Sequence, residues 1–167
     1  AAAVPPPPPP APSPPPPPPL PPQSPPAGVF ASKDELETAV NEWVNDATEA
    51  ADKHGNISGW DVSRVDDMRE LLAGKTTFNA QIGGWDTSQV TSMYSMFRDA
   101  KAFNRLLAWD TSRVTNMEGT FQGAKAFNSE LAWDTSKVTN MEFTFSRADA
   151  FNQPGISAWD VSKVTDM

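Results

Sequence analysis

Along residues 60–167 the large apolar residues return on a fixed beat. Trp-Asp pairs begin at Trp60, Trp85, Trp109, Trp133 and Trp159, at spacings of 25, 24, 24 and 26 residues. Each pair is followed by Val or Thr, then by a serine (Ser63, Ser88, Ser112, Ser136, Ser162), a valine (Val65, Val90, Val114, Val138, Val164) and a methionine (Met68, Met93, Met117, Met141, Met167). Four residues after the methionine stand Leu72, Phe97, Phe121 and Phe145, and Phe-Asn pairs close the pattern at Phe78, Phe103, Phe127 and Phe151. From Trp to that Phe the count is always 18, so all length variation falls in the stretch before the next Trp, where loops can bulge. β-Branched residues are densest in Ser-x-Val-Thr-x-Met, which predicts a short strand; the segment from Met to Phe-Asn predicts a short helix. The Trp, Val, Met and Phe columns then make a continuous core, each coil covering the apolar face of the one before. No single repeat should fold alone.

Ahead of the repeats the period changes. Leu36, Ala39, Val40, Trp43, Val44 and Ala47 mark one face at helical spacing, Ser32-Lys33-Asp34-Glu35 has the form of a capping box, and Gly55 supplies a stop. A helix over about 33–53 is expected, acting as the atypical end that a repeat stack needs over its first coil.

Upstream lies a tract with no ionisable side chain. Seventeen of the eighteen prolines fall between Pro5 and Pro26, in runs such as Pro5–Pro10 and Pro14–Pro19. Proline fixes φ and removes the amide donor, so this sequence predicts a polyproline II arm; 28 such residues span about 85 Å. It could serve as a stiff spacer or as a ligand for proline-recognising modules, although it lacks the flanking charges those modules read. Ser13 followed by six prolines, and Ser24 followed by Pro25 and Pro26, resembles the serine-polyproline blocks of extensins and algal hydroxyproline-rich wall glycoproteins. That resemblance implies sugar at Ser13, Pro14, Pro15, Pro16, Pro17, Pro18, Pro19, Ser24, Pro25 and Pro26.

The repeat itself, Phe-Asn, aliphatic, Trp-Asp-(Val/Thr)-Ser-x-Val-Thr-x-Met-x-x-x-Phe-x-x-Ala, resembles that of the BspA-like leucine-rich surface proteins, and residues 36–61 resemble the leader of their algal arrays. The resemblance covers residues 30–167 and implies a cell-surface or extracellular location with a binding or structural role. Asp66 for threonine and Leu72 for phenylalanine depart from the pattern in the first repeat. The fold expected is an α/β repeat solenoid, leucine-rich-repeat-like, with one short strand and one short helix per coil of 24–26 residues. Three segments are expected: the arm at 1–28, the cap helix at 29–55, and five coils at 56–167, the last incomplete.

Composition narrows the chemistry. The net charge is -8, which disfavours nucleic acid, and there is no cysteine for a disulfide, a thiolate nucleophile or a cysteine metal site. No stretch is long and apolar enough to enter a membrane. The chain begins Ala1-Ala2-Ala3-Val4, which reads as a processed product or a fragment and leaves room for a removed signal peptide. One histidine, His54, offers no relay, and the carboxylates repeat in every coil where an active site is a unique constellation; no enzyme and no cofactor are expected. The Asn79, Asn104, Asn128, Asn152 column and the Asp61, Asp86, Asp110, Asp134, Asp160 column suggest a calcium ladder, but the glycine-rich nonapeptide is missing and Asx turns are the expected role. Thr91, Thr115, Thr139 and Thr165 are expected to stack outward as ordinary strand residues rather than as an ice-binding rank, and the tryptophans as core rather than as a sugar platform. Asn56-Ile57-Ser58 is the only N-glycosylation sequon.

The function expected is therefore that of an extracellular structural protein, a subunit of a glycosylated surface fibril or coat. Its partners would be other copies of itself and covalently attached glycans. Because the sequence stops at Met167 within the fifth repeat, Val164, Thr165, Asp166 and Met167 are expected to form a head-to-tail assembly face. The alternative is an adhesion or carbohydrate- or protein-binding domain displayed on a proline stalk.

Overall fold

The computed structural model describes residues 28–167. The arm, with Ser13, Pro14–Pro19, Ser24, Pro25 and Pro26, lies outside the described residues.

Two helices open the described chain, α1 (Lys33–Asn45) and α2 (Ala47–His54), in place of the single helix expected. Ser32 caps α1 by accepting from the Glu35 amide, and the Glu35 carboxylate reaches back to accept from the amide of Ala31, one residue before the cap. The break falls at Asp46, whose backbone is extended and whose Oδ1 accepts from the Thr48 and Glu49 amides. An aspartate that can satisfy two amides of a new helix competes with continuation of the old one. Leu36, Ala39 and Val40 on α1 are buried, and Trp43 meets Trp60 edge-on at 6.0 Å. The helix pair covers the first coil.

The expected α/β repeat solenoid is corrected here. Among the described residues both α-helices precede Gly55 and there is no strand; the repeats hold only isolated parallel bridges, Asp67↔Ser92, Ser92↔Asn116, Asn116↔Asn140 and Asn140↔Asp166. Turns and 3₁₀ segments at Ile57–Gly59 and Pro154–Ala158 make up the rest. The strand fails because side-chain turns bracket it. The aspartate of each Trp-Asp pair accepts from the serine amide two residues on, and the bridge residue does the same again, Asp67 from Arg69, Asn116 from Glu118 and Asn140 from Glu142. The helix fails because two places per coil take positive φ: Glu70, Ser95, Gly119 and Phe143 at one, and Gly74, Asp99, Gly123 and Arg147 at the other. A right-handed helix cannot pass through such residues.

Those reversals send alternate amides out of the coil. In the first coil the amides of Met68, Glu70, Leu72 and Gly74 donate to the carbonyls of Ser92, Tyr94, Met96 and Arg98 in the second, while Leu71, Ala73 and Lys75 bond three residues back. Met93, Ser95, Phe97 and Asp99 repeat the arrangement onto the third coil, and Met117, Gly119, Phe121 and Gly123 onto the fourth. Each coil is thus made of tight turns and is held to its neighbours by the bonds a helix would have kept to itself.

The core is a set of aromatic columns. Trp60, Trp85, Trp109, Trp133 and Trp159 stack at centroid distances of 6.2–6.4 Å with interplanar angles of 4–9°. Phe97, Phe121 and Phe145 form a second column, and Phe78, Phe103, Phe127 and Phe151 a third, crossing the second at 4.0 Å between Phe121 and Phe127. Phe97, Phe103, Phe121 and Phe127 are fully buried, and so is Leu72 at the first coil's departure from phenylalanine. Each such side chain contributes about 1.5–3 kcal/mol when removed from water.

Candidate functional site

The residues that repeat are those that could have carried a repeated chemistry, and nearly all of them are bonded between coils. Trp60 Nε1 donates to the Gly55 carbonyl, and Trp85, Trp109, Trp133 and Trp159 donate to Ile57, Ile82, Leu107 and Leu131, the carbonyl shelf of the preceding turn. Their rings are buried through the first four coils, as core, with no face open to a sugar.

The asparagine column differs from its expected Asx turn. Asn79 Oδ1 accepts from the amide of Asn104, Asn104 from Asn128, and Asn128 from Asn152, so each side chain caps the next coil rather than its own turn. Length variation before the tryptophans leaves this corner in register because the bond is made after the Phe that closes each coil.

The aspartate column is an Asx-turn column, with serine amides at 2.9–3.0 Å. Hydrogen bonds from Ser63, Ser112, Ser136 and Ser162 hold the carboxyls of Asp61, Asp110, Asp134 and Asp160 below the usual aspartate range. Bonding to the ionised form lowers a carboxyl pKa without any metal. Among the described residues no group of three or more His, Cys, Asp or Glu side chains is placed to hold a metal ion.

Thr91, Thr115, Thr139 and Thr165 are exposed and lie one above another, each donating its hydroxyl to the backbone carbonyl of the coil before. Their rotamers are fixed by the stack. Two further threonine columns escaped the sequence reading: Thr87, Thr111 and Thr135 are buried and donate to Asp110, Asp134 and Asp160 of the next coil, while Thr120 and Thr144 donate to methionine carbonyls. The signal was the Val/Thr alternation after Trp-Asp, since a site that accepts either must be apolar around the methyl. The bridge column of Asp67, Ser92, Asn116, Asn140 and Asp166 was also missed, although every member can accept an amide bond.

At the cap, Glu42 of α1 receives Lys53 Nζ at 2.5 Å and faces His54 Nε2 at 2.7 Å, tying α1 to α2. These two hydrogen bonds, Lys53 first, hold the Glu42 carboxyl below the usual range. His54 packs beside the contacting pair Phe30 and Trp60, and its carbonyl accepts from the amide of Gly28. The cluster is structural in its contacts: the Glu42 carboxylate, Lys53 Nζ, His54 Nε2 and the His54 carbonyl all bond within the cap or to the segment that enters it.

Asn56 is exposed between α2 and the first coil, with Oδ1 accepting from the amide and hydroxyl of Ser58. At the far end, Thr165 bonds to Thr139, Asp166 bridges Asn140 and accepts from the Met141 amide, and Val164 packs half-buried against the core. Three of the four residues expected to form an assembly face are therefore engaged with their own fourth coil, and Met167 is exposed. An apolar hollow lies beside them, lined by Met141, Phe143, Phe145, Ile156, Trp159, Val161 and Met167. Among the described residues no helix is long and apolar enough to cross a membrane.

The pattern that defines a family described as "Mycoplasma protein of unknown function, DUF285" matches residues 38–132 and again residues 104–167. No curated protein and no solved structure matches the chain.

Proposed function

We propose that this chain, which belongs to the DUF285 family over the second helical turn onward and through all five coils, is a non-catalytic structural protein of the cell surface. It carries the BspA-like repeat of the algal type and an extensin-like, hydroxyproline-bearing arm. One observation supports the reading above others. The asparagine, threonine, tryptophan indole and bridge columns are used to join coil to coil, and the aspartate column closes a turn within each coil. A repeat whose polar atoms are consumed in this way is an architectural unit, and catalysis would need a constellation that breaks the repeat.

In this reading the coils form a rigid body and the arm a glycosylated connector within a surface fibril or coat. Copies would associate head to tail, the cap helices or the arm of one copy covering the last coil of the next, a contact between unlike surfaces that repeats without closing. Protease shaving of intact cells tests the location: peptides from residues 28–167 are expected in the shaved fraction, and their recovery only after lysis would overturn the proposal. Sedimentation of the native material separates the two surface roles, since a fibril subunit sediments as polymers and a stalked adhesin as a monomer.

A further inference from the structure

We infer that Asn56 is an acceptor for an N-linked saccharide, built so that modification leaves the fold intact. The inference deepens the surface reading and rests on it, because transfer to asparagine requires passage through a glycosylating compartment.

The geometry separates the two ends of one amide. Asn56 is the N-cap of the 3₁₀ turn Ile57–Gly59, and capping uses only Oδ1, which accepts from the Ser58 amide at 3.0 Å and the Ser58 hydroxyl at 2.7 Å. Nδ2 has no partner among the described residues, and both Asn56 and Ser58 are exposed. A side chain at the neighbouring Gly59 would meet nothing within 4 Å, so the surface beside the turn is open. A saccharide on Nδ2 would therefore displace no contact.

The fold does not require this residue. The same turn precedes Trp85 and Trp159, whose amides bond to Ile82 and Ile156 as that of Trp60 bonds to Ile57. Gln81 and Gly155 stand there in the place of Asn56, and the 3₁₀ turn at Pro154–Ala158 has no side-chain cap at all. The asparagine is an addition at one of these turns only, outside every column that builds the stack, whereas Ser157 stands in the place of Ser58 before Trp159.

The pair also suits the chemistry. In transfer, Nδ2 forms a bond to the anomeric carbon of a lipid-diphosphate-linked saccharide. The anomeric C–O bond breaks with its electron pair leaving on the diphosphate, and an Nδ2 proton passes to the transferase's base. As that proton leaves, negative charge collects on Oδ1, where two donors already point; hydrogen bonds to a developing charge favour its formation.

The full chain secreted from a eukaryotic host provides the test, with intact mass read before and after digestion by peptide N-glycosidase F. Wild type is expected to lose a saccharide mass on digestion and to be left with aspartate at position 56. Asn56→Asp, which keeps a capping carboxylate, and Ser58→Ala should be secreted without that mass, and Ser58→Thr should retain it. Thermal midpoints of the digested and undigested protein are expected to agree within about 2 °C. A folded, secreted wild type that loses no mass, or a digestible saccharide that survives Asn56→Asp, would overturn the assignment. Because the host is heterologous, failure here reads on Asn56, whereas failure of the shaving experiment reads on location.

Discussion

The helical cap and the coil stack solve the same problem, the satisfaction of backbone amides, in opposite ways. In α1 and α2 amides bond four residues back, and the loose ends are closed by Ser32 and Asp46. In the segment after each methionine of the coils alternate amides leave the local chain and bond 23–25 residues ahead, as Glu70 does to Tyr94 and Phe97 to Thr120. The helix can form before its neighbours are in place; a coil cannot, because amides such as those of Met93, Ser95, Phe97 and Asp99 have no partner until the next coil arrives. Local bonding tolerates isolated damage, and long-range bonding spreads it.

The largest expected effect sharpens that contrast. Trp109 is stacked between Trp85 at 6.4 Å and Trp133 at 6.2 Å, and its indole satisfies the Ile82 carbonyl at 2.9 Å. Trp109→Ala should cost about 3–5 kcal/mol, the range for a buried large aromatic. Urea unfolding measures the loss, and hydrogen exchange its reach. Amides of the second and fourth coils should exchange faster together while those of α1 change less. Acceleration confined to the third coil would break the comparison, because coils would then be as independent as helices.

The next effect addresses the backbone reversals. Gly123 has φ of +69°, and a Cβ there would sit against the Asp99 carboxylate of the preceding coil. Gly123→Ala should cost at least about 1 kcal/mol from the left-handed backbone alone, with the displacement of Asp99 added. Arg147 occupies the equivalent place in the fourth coil with φ of +58°, so Arg147→Gly should stabilise. Chemical denaturation of both variants checks the signs; equal destabilisation by the two would refute the account of the reversals.

These reversals mark where the sequence stops being legible. The periodicity of Trp, Val, Met and Phe located the core columns, because burial fixes the type of residue at each place. It did not reveal the path between them. Glu70, Ser95, Gly119 and Phe143 share one backbone conformation without sharing a residue type, so no propensity marks it, and a strand plus a helix was the reading that propensity favoured. The Asp column was legible as Asx turns since the serine amide two residues on is local. The Asn column was misassigned because its partner lies about a full coil away, at a distance only the stack defines.

A smaller effect belongs to the cap. Asp46→Ala removes the acceptor of the Thr48 and Glu49 amides and should cost about 1 kcal/mol. Circular dichroism at 222 nm should fall with α2 while the aromatic signal of the tryptophan stack persists. If the two signals fall together, the cap and the coils unfold as one unit and the division between them is structural only.

Acid provides the smallest and most discriminating test, since both regions carry carboxyls depressed by different means. Glu42 is lowered by hydrogen bonds from Lys53 and His54, whereas Asp61, Asp110, Asp134 and Asp160 are lowered by their serines. A folded pKa below the unfolded one gives stability that is complete above the unfolded value, about 4 for these groups, and is lost as pH falls through the folded value. Urea midpoints should therefore decline below about pH 4 and be flat above it. Glu42→Gln should flatten part of that decline at low salt and less at about 1 M, where screening lengths shrink to about 3 Å and the Lys53 pair is weakened. The combined Asp61→Asn, Asp110→Asn, Asp134→Asn and Asp160→Asn variant keeps an oxygen for each serine amide while removing the titration. Its flattening should be independent of salt, because a serine amide in contact with the carboxylate is not exchanged for counter-ions. A decline abolished by Glu42→Gln alone would mean that acid acts on the cap and leaves the coils untouched.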